Sequence, residues 1–240
     1  MRNYLILAVA AVLVALILRD AVINRNRTDK TIAVTGLGTK DFTSDLIVWS
    51  GSFSKKNFNL KEAYAELDKD REILKNYLVS KGIPAASIVF SAVNINRDIS
   101  SEYDSHTGRS RSVFNGFNLT QNVQVESQEV DKIEDISRKV SEIINQGVEF
   151  YSNTPEYYYT KLAELKVEMI ADATKDANNR AEQIAKNANA RLGKLKKASM
   201  GVFQIIAQNS SEDFSWGGSY NTYAKHKTAT ITTRLEYEVK

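Results

Sequence analysis

Residues 59–84 read NLKEAYAELDKDREILKNYLVSKGIP, and this stretch carries its own start and stop signals. Asn59 is placed to cap a helix, Glu62 stands at the capping-box position, and Phe58 is available as a hydrophobic staple against Ala63. Leu60, Ala63, Tyr64, Leu67, Leu74 and Leu78 then recur at spacings of three and four, with only Arg71 interrupting the apolar stripe. At the far end Gly82 can take a left-handed cap, Ile83 can pack back, and Pro84 forbids continuation. The charge run Asp68–Glu72 reads as the solvated face of the same helix.

Strand-like segments flank this helix. Before it, 31–38 alternates and then turns at Gly36-Leu37-Gly38, and 46–53 forms a second strand. After it, 88–95 has strand character, 98–115 is a long polar loop, and 117–125 alternates with one wet face. A second helix follows, with Val130, Ile133, Ile136, Val140, Ile143 and Ile144 on one side, and Gly147 stops it. A short strand over 148–151 leads to the longest helix, about 157–192. The second half of that helix carries Ala173, Ala177, Ala181 and Ala188 on its apolar face, so whatever covers it must approach closely. Strands over 195–206 and 228–239 close the chain, with a polar loop, 208–225, between them. The order is ββαββαβαββ, and strands in adjacent pairs between helices predict an α+β domain with antiparallel sheet packed by helices.

The amino-terminal end differs from the rest. Tyr4 to Leu18 is uncharged and apolar, roughly 22 Å long as a helix at 1.5 Å per residue. Extending it through Ile23, with Arg19 and Asp20 reaching toward head groups, brings it to about 30 Å, the thickness of the hydrocarbon core. Arg2 suits a secretory signal, but Leu16-Ile17-Leu18-Arg19 is a poor cleavage site, so the expectation is an uncleaved transmembrane signal anchor over residues 4–23. Residues 1–27 are then anchor or signal peptide with a short linker, and 28–240 the α+β body. Arg19, Arg25, Arg27 and Lys30 follow the segment, and by the positive-inside rule alone they would hold the body in the cytoplasm.

Charge placement narrows the function classes. Arg2, Arg19, Arg25, Arg27 and Lys30 against Asp20 and Asp29 account for the whole net charge of +3, leaving a neutral body without the basic balance of a nucleic-acid binder. With no cysteine, disulfides, thiolate zinc sites and a cysteine nucleophile are excluded. His106 and His226 sit in or beside loops, and no HxxxH or DxDxD spacing marks a metal site. Asp104-Ser105-His106 are sequence neighbours, which rarely share triad geometry. Gly36-x-Gly38 lacks the remainder of a phosphate loop. No catalytic residue and no cofactor is assigned.

Aromatic residues are the candidate interface. Tyr151, Tyr157, Tyr158 and Tyr159 cluster at the start of the long helix, and Phe214, Trp216, Tyr220 and Tyr223 populate the 208–225 loop. Packing at a helix start and a loop tucked onto the sheet would explain them, as would a self-association surface or a glycan platform.

Gly36-x-Gly38 after the first strand, Lys81-Gly82-Ile83 before Ile88, Gly116-Phe117 opening a strand, Gly147, and Arg191-Leu192-Gly193-Lys194-Leu195 closing the long helix occur in that order. Together they resemble the SIMPL-domain family, over about residues 31–240, with Ser44-Asp45 standing where the family commonly has Pro-Asp. The resemblance implies a secreted or membrane-anchored α+β domain of the bacterial envelope, linked to stress in some members. It also implies homo-oligomers in some relatives and no recognised catalytic set. The expectation is therefore a non-enzymatic, self-associating envelope protein with its body in the periplasm, with a cleaved periplasmic form as the variant. Two other classes stay open: an envelope glycan- or peptide-acting enzyme using loop carboxylates near 208–225, and a cytoplasm-facing adaptor.

Overall fold

The computed structural model describes residues 30–104 and 108–240, together with 14–16, 18 and 19. Val14, Ala15, Leu16, Leu18 and Arg19 are helical and exposed. The rest of the anchor expected over 4–23 lies outside the described residues, as do Ser105 and His106. No helix among the described residues is long and apolar enough to cross a membrane, so the structure gives that anchor no support of its own.

The elements are β1 (Thr31–Thr43), β2 (Leu46–Asn57), α1 (Leu60–Ser80), β3 (Ile88–Phe90), β4 (Asn94–Asp104), β5 (Arg109–Ser127), α2 (Val130–Lys139), β6 (Phe150–Ser152), β7 (Glu156–Tyr158), α3 (Leu162–Asn187), β8 (Leu192–Met200), β9 (Gln204–Ala207), β10 (Ser219–Tyr220) and β11 (His226–Val239). The class is α+β with largely antiparallel sheets, as expected. One sheet runs β3-β5-β2-β6, with β4 also on β5 and β7 also on β2; the other runs β1-β11-β9-β10, with β8 also on β11. The chain forms two compact units, one of residues 1–38, 170–201 and 231–240, the other of 39–169 and 202–230.

In the larger unit, α1 and α2 cover one face of the six-stranded sheet. Strict alternation in β2 turns Ile47, Trp49 and Phe53 inward, where they meet Leu119, Val123 and Val125 of β5 and Ala63, Leu67, Leu74 and Leu78 of α1. Removing that apolar surface from water, at about 25 cal/mol per Å², is the main stabilising term. Trp49 places its indole N–H 3.0 Å from Ser152 Oγ, so its one polar group is satisfied. The α1 punctuation holds: Asn59 Oδ1 accepts from Lys61 N–H and its amide donates to Glu62, while Gly82 has φ +84° and Ile83 is buried. Phe58 instead lies exposed against the Phe114 ring, 6.2 Å away, so the staple does not form.

The apolar stripe is also rotated from its expected phase. Leu60 and Tyr64 are exposed, while Asp70 and Tyr77 face inward. Asp70, taken above as part of a solvated run, is buried with Lys55 Nζ 2.9 Å from its Oδ2, an ion pair whose angles fall short of a hydrogen bond.

Three expectations along the chain are corrected. The polar 98–115 loop is a β-hairpin, because β4 and β5 pair from Asn94↔Thr120 to Asp104↔Arg109, with a bulge where Asp98↔Gly116 gives way to Ile99↔Phe114. Cross-strand backbone bonds, which leave no apolar alternation in sequence, hold that ribbon. The long helix begins at Leu162, not near 157, since Glu156–Tyr158 pairs with β2. The 195–206 strand is split into β8 and β9 around Gly201-Val202-Phe203. The observed order is ββαβββαββαββββ.

In the smaller unit, Val34, Ala177, Ala181, Leu235 and Tyr237 form the core, with Ala173 and Ala185 also buried. Gly36 is no turn. A Cβ there would stand 2.1 Å from the Ala173 carbonyl oxygen and 2.4 Å from Ala177 N, so the glycine is what lets the alanine face of α3 meet β1. β8 pairs antiparallel with β11 from Thr233↔Met200 to Val239↔Leu192, and Arg191 and Lys240 exchange both backbone bonds at 2.9 Å.

Candidate functional site

Gln204, buried on β9, organises the aromatic loop 208–225. Its amide donates to the Ser215 carbonyl at 2.6 Å, and its oxygen accepts from Ser215 N–H and the Ser219 hydroxyl. Gly218 has φ +90°, and a Cβ there would lie 2.8 Å from the Phe203 carbonyl, so the loop turns back only with glycine at that place. Ser219 and Tyr220 then run parallel to β9, and Asn221 accepts from Ala224 N–H while donating to Glu212. A loop sewn down this way leaves Trp216 100% exposed, with Phe214 and Tyr223 also outward.

The other candidate aromatics divide. Tyr157 is a core residue whose N–H donates to the Thr222 carbonyl at 2.6 Å; burial, and then the Glu134 carboxylate, push its hydroxyl pKa up. Tyr158 donates to Glu156, which raises its pKa, and its ring lies 6.3 Å from Tyr220. Tyr159 packs on Phe42 at 4.8 Å, with its N–H on the Tyr220 hydroxyl. Tyr158, Tyr159 and Tyr220 are thus brought together as packing, while Tyr151, on β6, is exposed and pairs with Ser52. Phe214, Trp216 and Tyr223 remain as an outward aromatic set.

Beside the Tyr220 ring lies Lys227, which the sequence reading passed over. Its side chain is 0% exposed. Its ammonium donates to Ser44 Oγ at 2.8 Å and to the Tyr157 carbonyl, and stands 5.7 Å from the Tyr220 ring centre. Burial lowers its pKa to about 8. One signal was available: Lys227 shares the parity of Ala229, Ile231, Leu235 and Tyr237, the inward positions of β11. The neighbouring Asp45 carboxylate accepts from both Thr160 N–H and Thr160 Oγ1 at 2.7 Å, fixing the chain just before α3.

A shallow cleft of about 390 Å³ is lined by Ser44, Asp45, Glu129, Asp131, Lys132 and Lys225, among others. Its lysines are already paired: Lys132 bonds Glu129, and Lys225 bonds Asp131 and Glu134, the Asp131 bond leading in raising the Lys225 pKa and lowering that of Asp131. Two further cavities, of about 350 and 220 Å³, are lined by uncharged residues around Ser50, Val89 and Asn122 and by Lys197, Ser199, Arg234 and Glu236. Glu212 and Asp213, the loop carboxylates, line none of these three. Among the described residues no group of three or more acidic or histidine side chains is gathered to hold a metal ion. His226 Nδ1 lies 3.1 Å from Thr43 Oγ1.

The model of the family described as SIMPL, a protein of unknown function (DUF541), covers residues 32–235. No curated protein matches the chain.

Proposed function

The chain belongs to the SIMPL family, and from that premise we propose that it is a non-enzymatic protein of the cell envelope whose body self-associates. Residues 4–23 tether it to the membrane, and the α+β body faces the periplasm. The observation that carries this reading is the loop around Trp216. A wholly exposed tryptophan flanked by Phe214 and Tyr223, on a backbone fixed by Gln204, is a pre-ordered apolar contact that loses little entropy on binding. Tryptophan and tyrosine are the side chains that protein interfaces enrich. The paired charges of the Lys225 cleft favour assembly over hydrolysis.

Two measurements on the full chain in its membrane test the proposal. A label or reporter at Lys240 should react in intact cells; reaction only after lysis would place the body in the cytoplasm and favour the adaptor class. Chemical crosslinking should give a ladder of multimers, and a monomer band alone would argue against self-association.

A further inference from the structure

Among the described residues β4 is an edge strand, paired on one side alone. Its inner edge pairs with β5 along its full length, and among the described residues no backbone bond reaches its other edge. Alternate residues along its eleven turn unpaired N–H and C=O groups to that edge, an open template for another strand. Two of the usual protections are missing. The strand has no proline and no lysine, and its bulge places the extra residue, Asn115, on β5. Arg97, the one cation, folds back with its guanidinium 5.8 Å from the Phe117 ring centre. One face of the strand shows Ile95, Ile99 and Tyr103, all exposed, with Ile99 at 58%.

We propose that the β4 edge is a two-fold self-pairing surface, joining a second copy of this chain antiparallel with Ile99 opposite Ile99. This rests on the self-association reading and names the strand that performs it. A two-fold axis normal to a sheet preserves its faces, so directly opposed residues share parity and the pairing centres on a residue. Centring on Arg97 or on Asp98 sets identical charges against each other, and centring on Ser100 opposes Asp98 to Glu102 twice. Centring on Ile99 opposes no like charges. It places Ile95 against Tyr103 on both sides of Ile99, Arg97 against Ser101, and Asn96 against Glu102. The exposed apolar residues of the ribbon then cover one another, and about ten backbone hydrogen bonds form across the junction. A two-fold contact closes as a dimer, so larger assemblies need a second surface, which the Trp216 loop supplies.

The chain has no cysteine, so single-cysteine variants report without background. Full-length Ile99→Cys in detergent, under mild oxidation, should form a covalent dimer in high yield. Arg97→Cys should not, because its copy lies four residues along, about 14 Å at 3.4 Å per residue, beyond disulfide reach. Co-expressed Arg97→Cys and Ser101→Cys should crosslink with each other. Ile99→Lys, exposed and tolerated in the fold, should halve the assembly mass or reduce it to the monomer. If the wild-type chain is multimeric but Ile99→Cys crosslinks no faster than Arg97→Cys, the β4 edge is not the contact and self-association stands on another surface. If the wild type is monomeric, both readings fall.

Discussion

Replacing Lys227 by methionine should change how stability depends on pH more than it changes stability itself. The folded chain holds Lys227 at a pKa of about 8, against an ordinary 10.5. Between those values the unfolded chain keeps a proton that the folded chain has released, so raising the pH favours the folded state. Below about pH 8 both forms are protonated, and the native state bears the full unfavourable difference. The fall from 10.5 to about 8 corresponds to a penalty of about 3 kcal/mol. The bonds to Ser44 and the Tyr157 carbonyl hold the charged form, so about 3 kcal/mol is a ceiling. The Lys227→Met variant lacks this titration but retains Lys225, the tyrosines and every other group that ionises in the range. Urea unfolding of both proteins at steps from about pH 7 to about pH 10 isolates the effect. Wild type should gain on the variant by up to about 3 kcal/mol, most steeply above pH 8. Parallel curves would show that the Lys227 ammonium is not desolvated and would refute the assignment.

Gly36→Ala should cost about 3 kcal/mol or more, since its methyl group meets backbone atoms of α3 that cannot rotate away; a loss within about 0.5 kcal/mol by urea titration would contradict the close approach. Lys55→Met should cost about 3 kcal/mol by leaving Asp70 buried without its cation, and adding Asp70→Leu should recover most of that; equal instability of single and double variants would overturn the pairing. Trp216→Ala should leave the unfolding midpoint unchanged within about 0.5 kcal/mol, because the indole touches solvent alone, yet should lower the mass of the assembly. A large stability loss, or an unchanged mass, would remove that loop from the interface.

What the sequence revealed follows from where the physics is local. Asn59 and Gly82 announce α1 because a cap needs a short acceptor and a left-handed turn needs glycine, and both demands fall on single residues. The alanines of α3 signalled a close neighbour, though not that Gly36 supplied it, since nothing in a glycine distinguishes a turn from a strand under a helix. The β4–β5 ribbon was hidden because Ile95, Ile99, Tyr103 and Phe114 stay exposed and Asn, Ser and Arg fill the rest. Of the aromatics, Tyr157 and Trp216 look alike in sequence. One lies in the core beside a backbone bond to the distant Thr222, and the other is presented by the amide of Gln204 eleven residues before Ser215. Lys227 was legible in its parity alone.

Light scattering on gel-filtered full-length protein in detergent, followed through a dilution series, bears most directly on self-association. The protein component should have a mass that is a multiple of 26.9 kDa and should hold through the upper part of the series. A mass that stays at 26.9 kDa at every concentration would contradict it.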